Sequence, residues 1–268
     1  MNDIKPITLL RNTDKLKQEL EDNEGKIIIT KNGEKDFVIL SDEKYQKLCK
    51  NEINAENVHV FEQSKPLGFV KVAAQSIDVK VAGISHNEQE IVKAVERADA
   101  ENVKILVLPE LCLCGYTCGD LILNEELLDK VESSLNNLKT FSKKHNVFFV
   151  VGAPLRKDGK LFNCAVVFCQ GKILGVVPKT VIPNYAEFYE KRYFSNAPSE
   201  NGTIHIFGEA VSFGTKQIFV DSDYRKLKIA IEICEDAWCV ETPSSKAALA
   251  GADVILNLSA SNEVVGKA

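Results

Sequence analysis

From Val103 onward the chain alternates short, continuously apolar runs with amphipathic helical segments, and this constrains its fold more than any other feature. Val103–Leu108, Val147–Val151, Cys164–Phe168, Lys172–Val177, Ile218–Val220, Leu227–Ile233 and Val254–Leu258 read as strands. A strand that is apolar at successive positions has to be covered on both faces. The covers are at hand. Ile91, Val95 and Ala98 give Glu88–Ala100 helical spacing, Leu121–His145 reads as a long amphipathic helix, and Ser244–Ala250 as a short one. Leu67–Ala74 is strand-like, and Gln170–Gly171 predicts a hairpin between two of the strands. The predicted fold class is α/β, a largely buried sheet covered by helices.

Composition narrows the function classes. Of 268 residues, 45% are hydrophobic and 26% charged, enough for a sizeable core. A net charge of −5 argues against a general nucleic-acid footprint. No apolar stretch approaches the roughly 20 residues of a membrane span, and the polar opening MNDIKP does not read as a secretory signal. The eight cysteines are expected to be reduced thiols, which places the chain in the cytoplasm.

Residues 1–49 read as a unit of their own. Leu9, Leu16 and Leu20 fall near helical spacing, and Gly25 closes that helix. Lys26–Thr30 and Lys35–Leu40 flank Asn32–Gly33, a strong hairpin signal. Ser41 can cap a short final helix. The whole string resembles the N-terminal half of a Phd/YefM-type antitoxin, which implies dimerisation and DNA binding. Residues 50–66 are polar, unpatterned and end in proline, and are expected to be a linker. The larger domain is expected to span residues 67–268.

Three residues in that domain stand where strand-like runs break into loops: Glu110 after ILVLP, Lys179 after GVVP and Cys234 after KLKIAIEI. Covalent cleavage of a carboxamide needs a nucleophile, a base and a positive group for the oxyanion, and these residue types can supply all three. A nearby ammonium favours the thiolate, and a carboxylate against apolar surroundings has its pKa raised towards the working range. Against this stand plainer roles: a cysteine as core filler and a glutamate as a solvated loop residue.

The order Glu…Lys…Cys and the surrounding words resemble the nitrilase (carbon–nitrogen hydrolase) superfamily, and within it the glutaminase domain of glutamine-dependent NAD synthetases. The resemblance implies an α-β-β-α sandwich. Cys234 would be the nucleophile, Glu110 the general base and Lys179 the oxyanion stabiliser. Tyr116, Tyr185, Phe188, Glu235 and Ser261 would contact glutamine, with Ser261 near its α-amino-acid end, and Glu187 would support the lysine. The implied reaction releases glutamate and ammonia, the ammonia passing to an ATP-dependent synthetase domain for NAD synthesis. No cofactor is implied for this chain, and a homo-oligomer is expected. The C-x-C-x₃-C spacing of Cys112, Cys114 and Cys118 is one ligand short of a usual zinc site, and no histidine lies beside it. No metal is expected.

The family pattern continues beyond NLSASNEVVGKA, and the pyrophosphate loop of the synthetase domain is not found here. Lys267 stands where a basic glutamine-contacting residue is expected. The chain is therefore read as a C-terminally truncated hydrolase behind an antitoxin-like segment, a fusion or a gene fragment. Three rivals stand beside glutamine hydrolysis: another nitrilase-type amidase, a DNA-binding antitoxin or repressor module, and a fragment without activity.

Overall fold

The computed structural model describes residues 4–6, 13–24, 26–31, 34–41, 43, 58–61, 69–221, 227–262 and 265–266. Two compact units emerge, residues 1–55 and 56–268. In the first, strands β1 (Ile4–Pro6), β2 (Lys26–Lys31) and β3 (Glu34–Leu40) form one sheet, with β1 parallel and β3 antiparallel to β2. Helix α1 (Thr13–Asp22) sets Leu16 and Leu20 against the buried Ile27 of β2 and Ile39 of β3. The expected hairpin is there. Leu9, Gly25, Asn32, Gly33 and most of the expected final helix lie outside the described residues.

The second unit holds two sheets. Its strands are β4 (Val58–Phe61), β5 (Val72–Ala74), β6 (Ile105–Val107), β7 (Phe148–Lys157), β8 (Lys160–Cys169) and β9 (Lys172–Pro178). They continue with β10 (Gly202–Ile206), β11 (Glu209–Phe213), β12 (Ile218–Asp221), β13 (Lys228–Ile233) and β14 (Val254–Leu258). The larger sheet is mixed, with seven strands in the order β10-β11-β9-β8-β7-β6-β5, and the smaller has four in the order β14-β13-β12-β4. Helices are α2 (Ile84–Ala100), α3 (Glu125–Ser142) and α4 (Pro243–Leu249).

Side-chain alternation explains the continuous apolar runs. Phe149 and Val151 of β7, with Cys164, Val166 and Phe168 of β8, face Ile91, Val95, Val131 and Leu135 of α2 and α3. Their neighbours Phe148, Val150, Ala165 and Val167 point the other way, onto Phe219, Ile229, Ile231, Ile233 and Leu256 of the smaller sheet. Successive residues of a strand point to opposite faces, so a strand covered by helices on one side and a sheet on the other is apolar at most successive positions. Helix α4 adjoins β13, where buried Glu232 accepts from the Ser244 amide in its first turn (2.9 Å) and from Asn257 Nδ2 of β14 (3.2 Å). This is the α-β-β-α layering that the family resemblance implies; the apolar runs alone gave only a sheet covered by helices.

Three boundaries differ from expectation. Val58–Phe61, inside the supposed linker, is a strand running parallel to β12. The long helix expected over Leu121–His145 begins only at Glu125. Before it, Tyr116–Leu123 is an irregular turn broken at Gly119 (φ 58°), and the Asn124 side chain caps α3 by accepting from the Leu127 amide at 3.1 Å. A hairpin between β7 and β8 turns at Asp158–Gly159, with both residues at positive φ (49° and 71°). Asp-Gly is a hairpin signal in its own right.

One glycine matters for the site. A Cβ on Gly152 of β7 would lie 2.5 Å from the Pro109 carbonyl oxygen and overlap the Leu111 amide, so only glycine lets the Pro109–Leu111 backbone lie against the strand. Gly152→Ala is expected to cost about 2 kcal/mol through overpacking and to displace Glu110. Thermal melting together with the alkylation rate of Cys234 checks this, and wild-type values for both would contradict it.

Candidate active site

The site is assembled from strand ends. From the end of β6 the chain passes through Leu108 and Pro109 to Glu110, β9 delivers Lys179, β13 delivers Cys234, and β14 leads to Ser259 and Ala260. Glu110 (2% exposed) and Lys179 (1% exposed) are buried. The Lys179 ammonium donates to Glu110 Oε1 and Glu190 Oε1, each at 2.6 Å. Asn163 Nδ2 donates to Glu110 Oε1 (2.7 Å) and Glu190 Oε2 (3.2 Å), and Tyr116 OH donates to Glu190 Oε1 (2.8 Å). The remaining oxygen of Glu110, Oε2, accepts the Ala260 amide at 3.1 Å.

Charge bookkeeping follows from this geometry. One ammonium between two carboxylates leaves one excess negative charge when all three are ionised, so the cluster has an affinity for a proton. Burial raises the Glu110 pKa, with Glu190 adding to the shift and Lys179 opposing it. Burial also disfavours the lysine's charge, but the two carboxylates outweigh it and hold the Lys179 pKa above its usual value. The Cys234 thiol is raised first by burial and then by the charge of Glu110. Lys179 and hydrogen bonds from Ala260 and Ser259 pull it the other way. The thiol thus shares its electrostatic surroundings with the Glu110 carboxyl and the Lys179 ammonium.

Cys234 sits at φ 46° where β13 turns into a short 3-10 segment, Cys234–Trp238, and Leu111, directly after Glu110, sits at φ 51°. Non-glycine residues in this region are strained, and such strain persists where surrounding contacts over-determine it. Here Asp236 supplies contacts on both sides of the turn. Its Oδ1 accepts the Thr180 and Val181 amides (2.9 and 2.7 Å), and its Oδ2 accepts the Ile233 amide (3.1 Å). One carboxylate therefore ties the backbone after Lys179 to the backbone before Cys234.

An aromatic wall adjoins the cluster. Phe188 packs edge-on against both Tyr116 (6.5 Å between centroids) and Tyr185 (5.6 Å). Tyr185 OH donates to the Glu235 carboxylate at 2.9–3.0 Å, next to Cys234 in the chain. Of the five residues expected to contact substrate, Tyr116, Phe188, Tyr185 and Glu235 are thus linked in one contact chain. Ser261 is exposed just beyond Ala260, whereas Ser259 and Ala260 bond to Glu110, the Ser259 carbonyl accepting its amide (3.4 Å) and the Ala260 amide donating to its carboxylate. Glu187, expected to support the lysine, instead lines a cleft of about 190 Å³ with Tyr116, Gly119, Tyr189 and Tyr193. The support comes from Glu190, three residues on, where Glu190–Arg192 forms a 3-10 turn. Lys267 lies outside the described residues.

With this constellation in place, comparison with known proteins is decisive. The carbon-nitrogen hydrolase family model matches residues 71–267. The chain belongs to that family. This carbon-nitrogen hydrolase is 41% identical over 201 residues to the glutamine-dependent NAD(+) synthetase of Mycobacterium tuberculosis, and 30% identical over 199 residues to that of Aquifex aeolicus. Those matches take up 75% and 74% of this chain but only 30% and 31% of the relatives, so it spans about a third of their length. A crystal structure of a glutamine-dependent NAD(+) synthetase from Cytophaga hutchinsonii superposes with a TM-score of 0.64 at 26% identity, covering 74% of this chain and 32% of that one. An amidase of Nesterenkonia from the nitrilase superfamily shares the fold (TM-score 0.56, 16% identity, 75% of this chain and 69% of that one).

Asn163, Glu190 and Asp236 are the site residues of the hydrolase that sequence reasoning missed. Asn163 carried a signal, being the polar residue inside the apolar run LFNCAVVF. The Asp236 carboxyl is raised from 3.8 to about 6, chiefly by burial, with its three backbone donors opposing. A raised acid binds more protons folded than unfolded, so its contribution to stability is full below pH 3.8 and is lost as pH rises through about 6. This amounts to up to about 3 kcal/mol at 1.36 kcal/mol per unit. Melting temperatures of Asp236→Asn and wild type, measured between these limits, are expected to diverge with rising pH at the wild type's expense. Parallel curves would show that Asp236 titrates as an ordinary carboxyl.

Proposed function

We propose that residues 56–268 hydrolyse the side-chain amide of glutamine to glutamate and ammonia through a thioester on Cys234. The observation that carries this reading is the buried Glu110–Lys179 pair, joined at 2.6 Å, with the backbone after Lys179 tied through Asp236 to the backbone before Cys234. Identity of 41% to a glutamine-dependent NAD(+) synthetase favours glutamine over other small amides.

The steps follow from charge and proton balance. Glu110 takes the thiol proton, and the thiolate attacks the amide carbon. The Lys179 ammonium stabilises the oxyanion that forms. On collapse the C–N bond breaks, and Glu110 returns the proton to the leaving ammonia. Glu110 then deprotonates a water that attacks the thioester carbonyl, the C–S bond breaks, and the proton passes to the departing thiolate. Glu190 and Tyr116 keep the lysine charged and aimed, while Tyr185, Phe188, Glu235 and Ser261 line the glutamine site. The ammonia would serve NAD synthesis by an ATP-using synthetase domain. For residues 1–49 the Phd/YefM-like reading is a separate proposal, supported by the hairpin of β2 and β3. Promoter-DNA binding that weakens steeply with salt would test it.

Intact-mass labelling with diazo-oxo-norleucine, a glutamine-like electrophile, tests the main reading. One adduct is expected on the wild-type chain and none on Cys234→Ala, with the two proteins melting together. An adduct that survives Cys234→Ala, or none on a folded wild-type chain, would sink it.

A further inference from the structure

We propose that Asn163 is a positioning residue that orients Glu110. By holding Oε1 against Lys179, it leaves Oε2 to exchange the proton with the Cys234 thiol. This rests on the hydrolase reading above, in which Glu110 is the base. Asn163 belongs to β8, is 1% exposed, and sits opposite Pro154 of β7. Its main-chain carbonyl accepts the Lys179 amide at 2.8 Å, so one residue fixes the lysine by its backbone and both glutamates by its side chain.

The donor count separates the two oxygens of Glu110. Oε1 receives two donors, Lys179 Nζ and Asn163 Nδ2. Among the described residues Oε2 receives the Ala260 amide alone, from the segment that follows β14, the strand paired with the one that leads to Cys234. A proton on Oε1 would have to displace a charged or amide donor, whereas one on Oε2 meets a single backbone N–H. The orientation of the amide is set as well, because turning it would press its oxygen against two carboxylates.

Stability alone does not account for this residue. Asn163 Oδ1 is buried with no hydrogen-bond partner among the described residues, an arrangement that ordinarily costs about 1–3 kcal/mol. A buried amide kept with one end unsatisfied is kept for what its other end does. Among uncharged donors it bridges two carboxylates without altering the charge that governs their shared proton. Lysine or arginine in its place would neutralise that charge, and aspartate would deepen it.

The test pairs Asn163→Asp with Asn163→Leu and follows glutamine hydrolysis against pH. Ionised aspartate cannot donate, so kcat is expected to fall about tenfold or more at alkaline pH with KM within about twofold. As pH falls, the new carboxyl takes up a proton, becomes a near-isostere of asparagine with one donor, and activity recovers relative to wild type. Asn163→Leu is expected to lose a similar factor at every pH, without recovery. Wild-type kcat in Asn163→Leu, or an Asn163→Asp profile parallel to wild type, overturns the proposal. If the wild-type chain hydrolyses no glutamine, it is the glutaminase reading that fails. Iodoacetamide alkylation of Cys234 then decides on Asn163: its pH profile should move upward in Asn163→Asp, and an unmoved profile counts against the assignment.

Discussion

A lysine ammonium without contact to water is among the most expensive groups a protein can bury, and Lys179 is 1% exposed. Its charge survives because Glu110, 69 residues earlier, and Glu190, 11 residues later, close on it from two sides. Neither carboxylate would be tolerated there alone. Each member of the cluster therefore depends on the fold delivering the others, and the cluster in turn fixes where β6, β9 and the turn after Tyr189 must end. A structural ion pair would be neutral. This one carries a surplus carboxylate, which gives the site a proton to move.

The sandwich makes that placement possible. Strands β7 and β8 are buried on both faces, so their backbones are held by helices on one side and by the smaller sheet on the other. The residues that break the apolar pattern, Asn163 within β8 and Lys179, Glu110 and Cys234 at strand ends, occur where the layers stop excluding polar groups unless those groups satisfy one another. Asp236 links the sheets at this rim through three backbone amides, so the positions of lysine and cysteine are set by hydrogen bonds as well as by strand direction.

Much of this was legible from residues alone, and the failures have physical reasons. Runs such as Phe148–Val151 announce two-faced burial, so the strands and the layered architecture could be read directly. Glu110, Lys179 and Cys234 each follow such a run, but it was the resemblance of the surrounding words to the carbon–nitrogen hydrolases that singled them out. Glu190 could not be told from Glu187, because residues 183–194 lack a repeating spacing and a single 3-10 turn decides which carboxylate faces inward. Asn163 was missed because the expected strand began one residue later, at Cys164, whereas β8 starts at Lys160 and takes Asn163 into its buried stretch. The Asp158–Gly159 turn was written in the chain and overlooked. Val58–Phe61 was not recoverable from local pattern, since four residues amid polar neighbours become a strand only by pairing with β12, some 160 positions later.

That last pairing changes where the hydrolase begins. By hydrogen bonding, Val58–Phe61 is part of the sheet whose strand β13 ends at Cys234, although it precedes the first residue matched by the family model. A protease cut or recombination joint placed after residue 66 would strip this strand and leave Ile218–Asp221 with a bare edge one strand from Cys234, inviting pairing with other chains. The division into two compact units falls between Ala55 and Glu56, ahead of this strand.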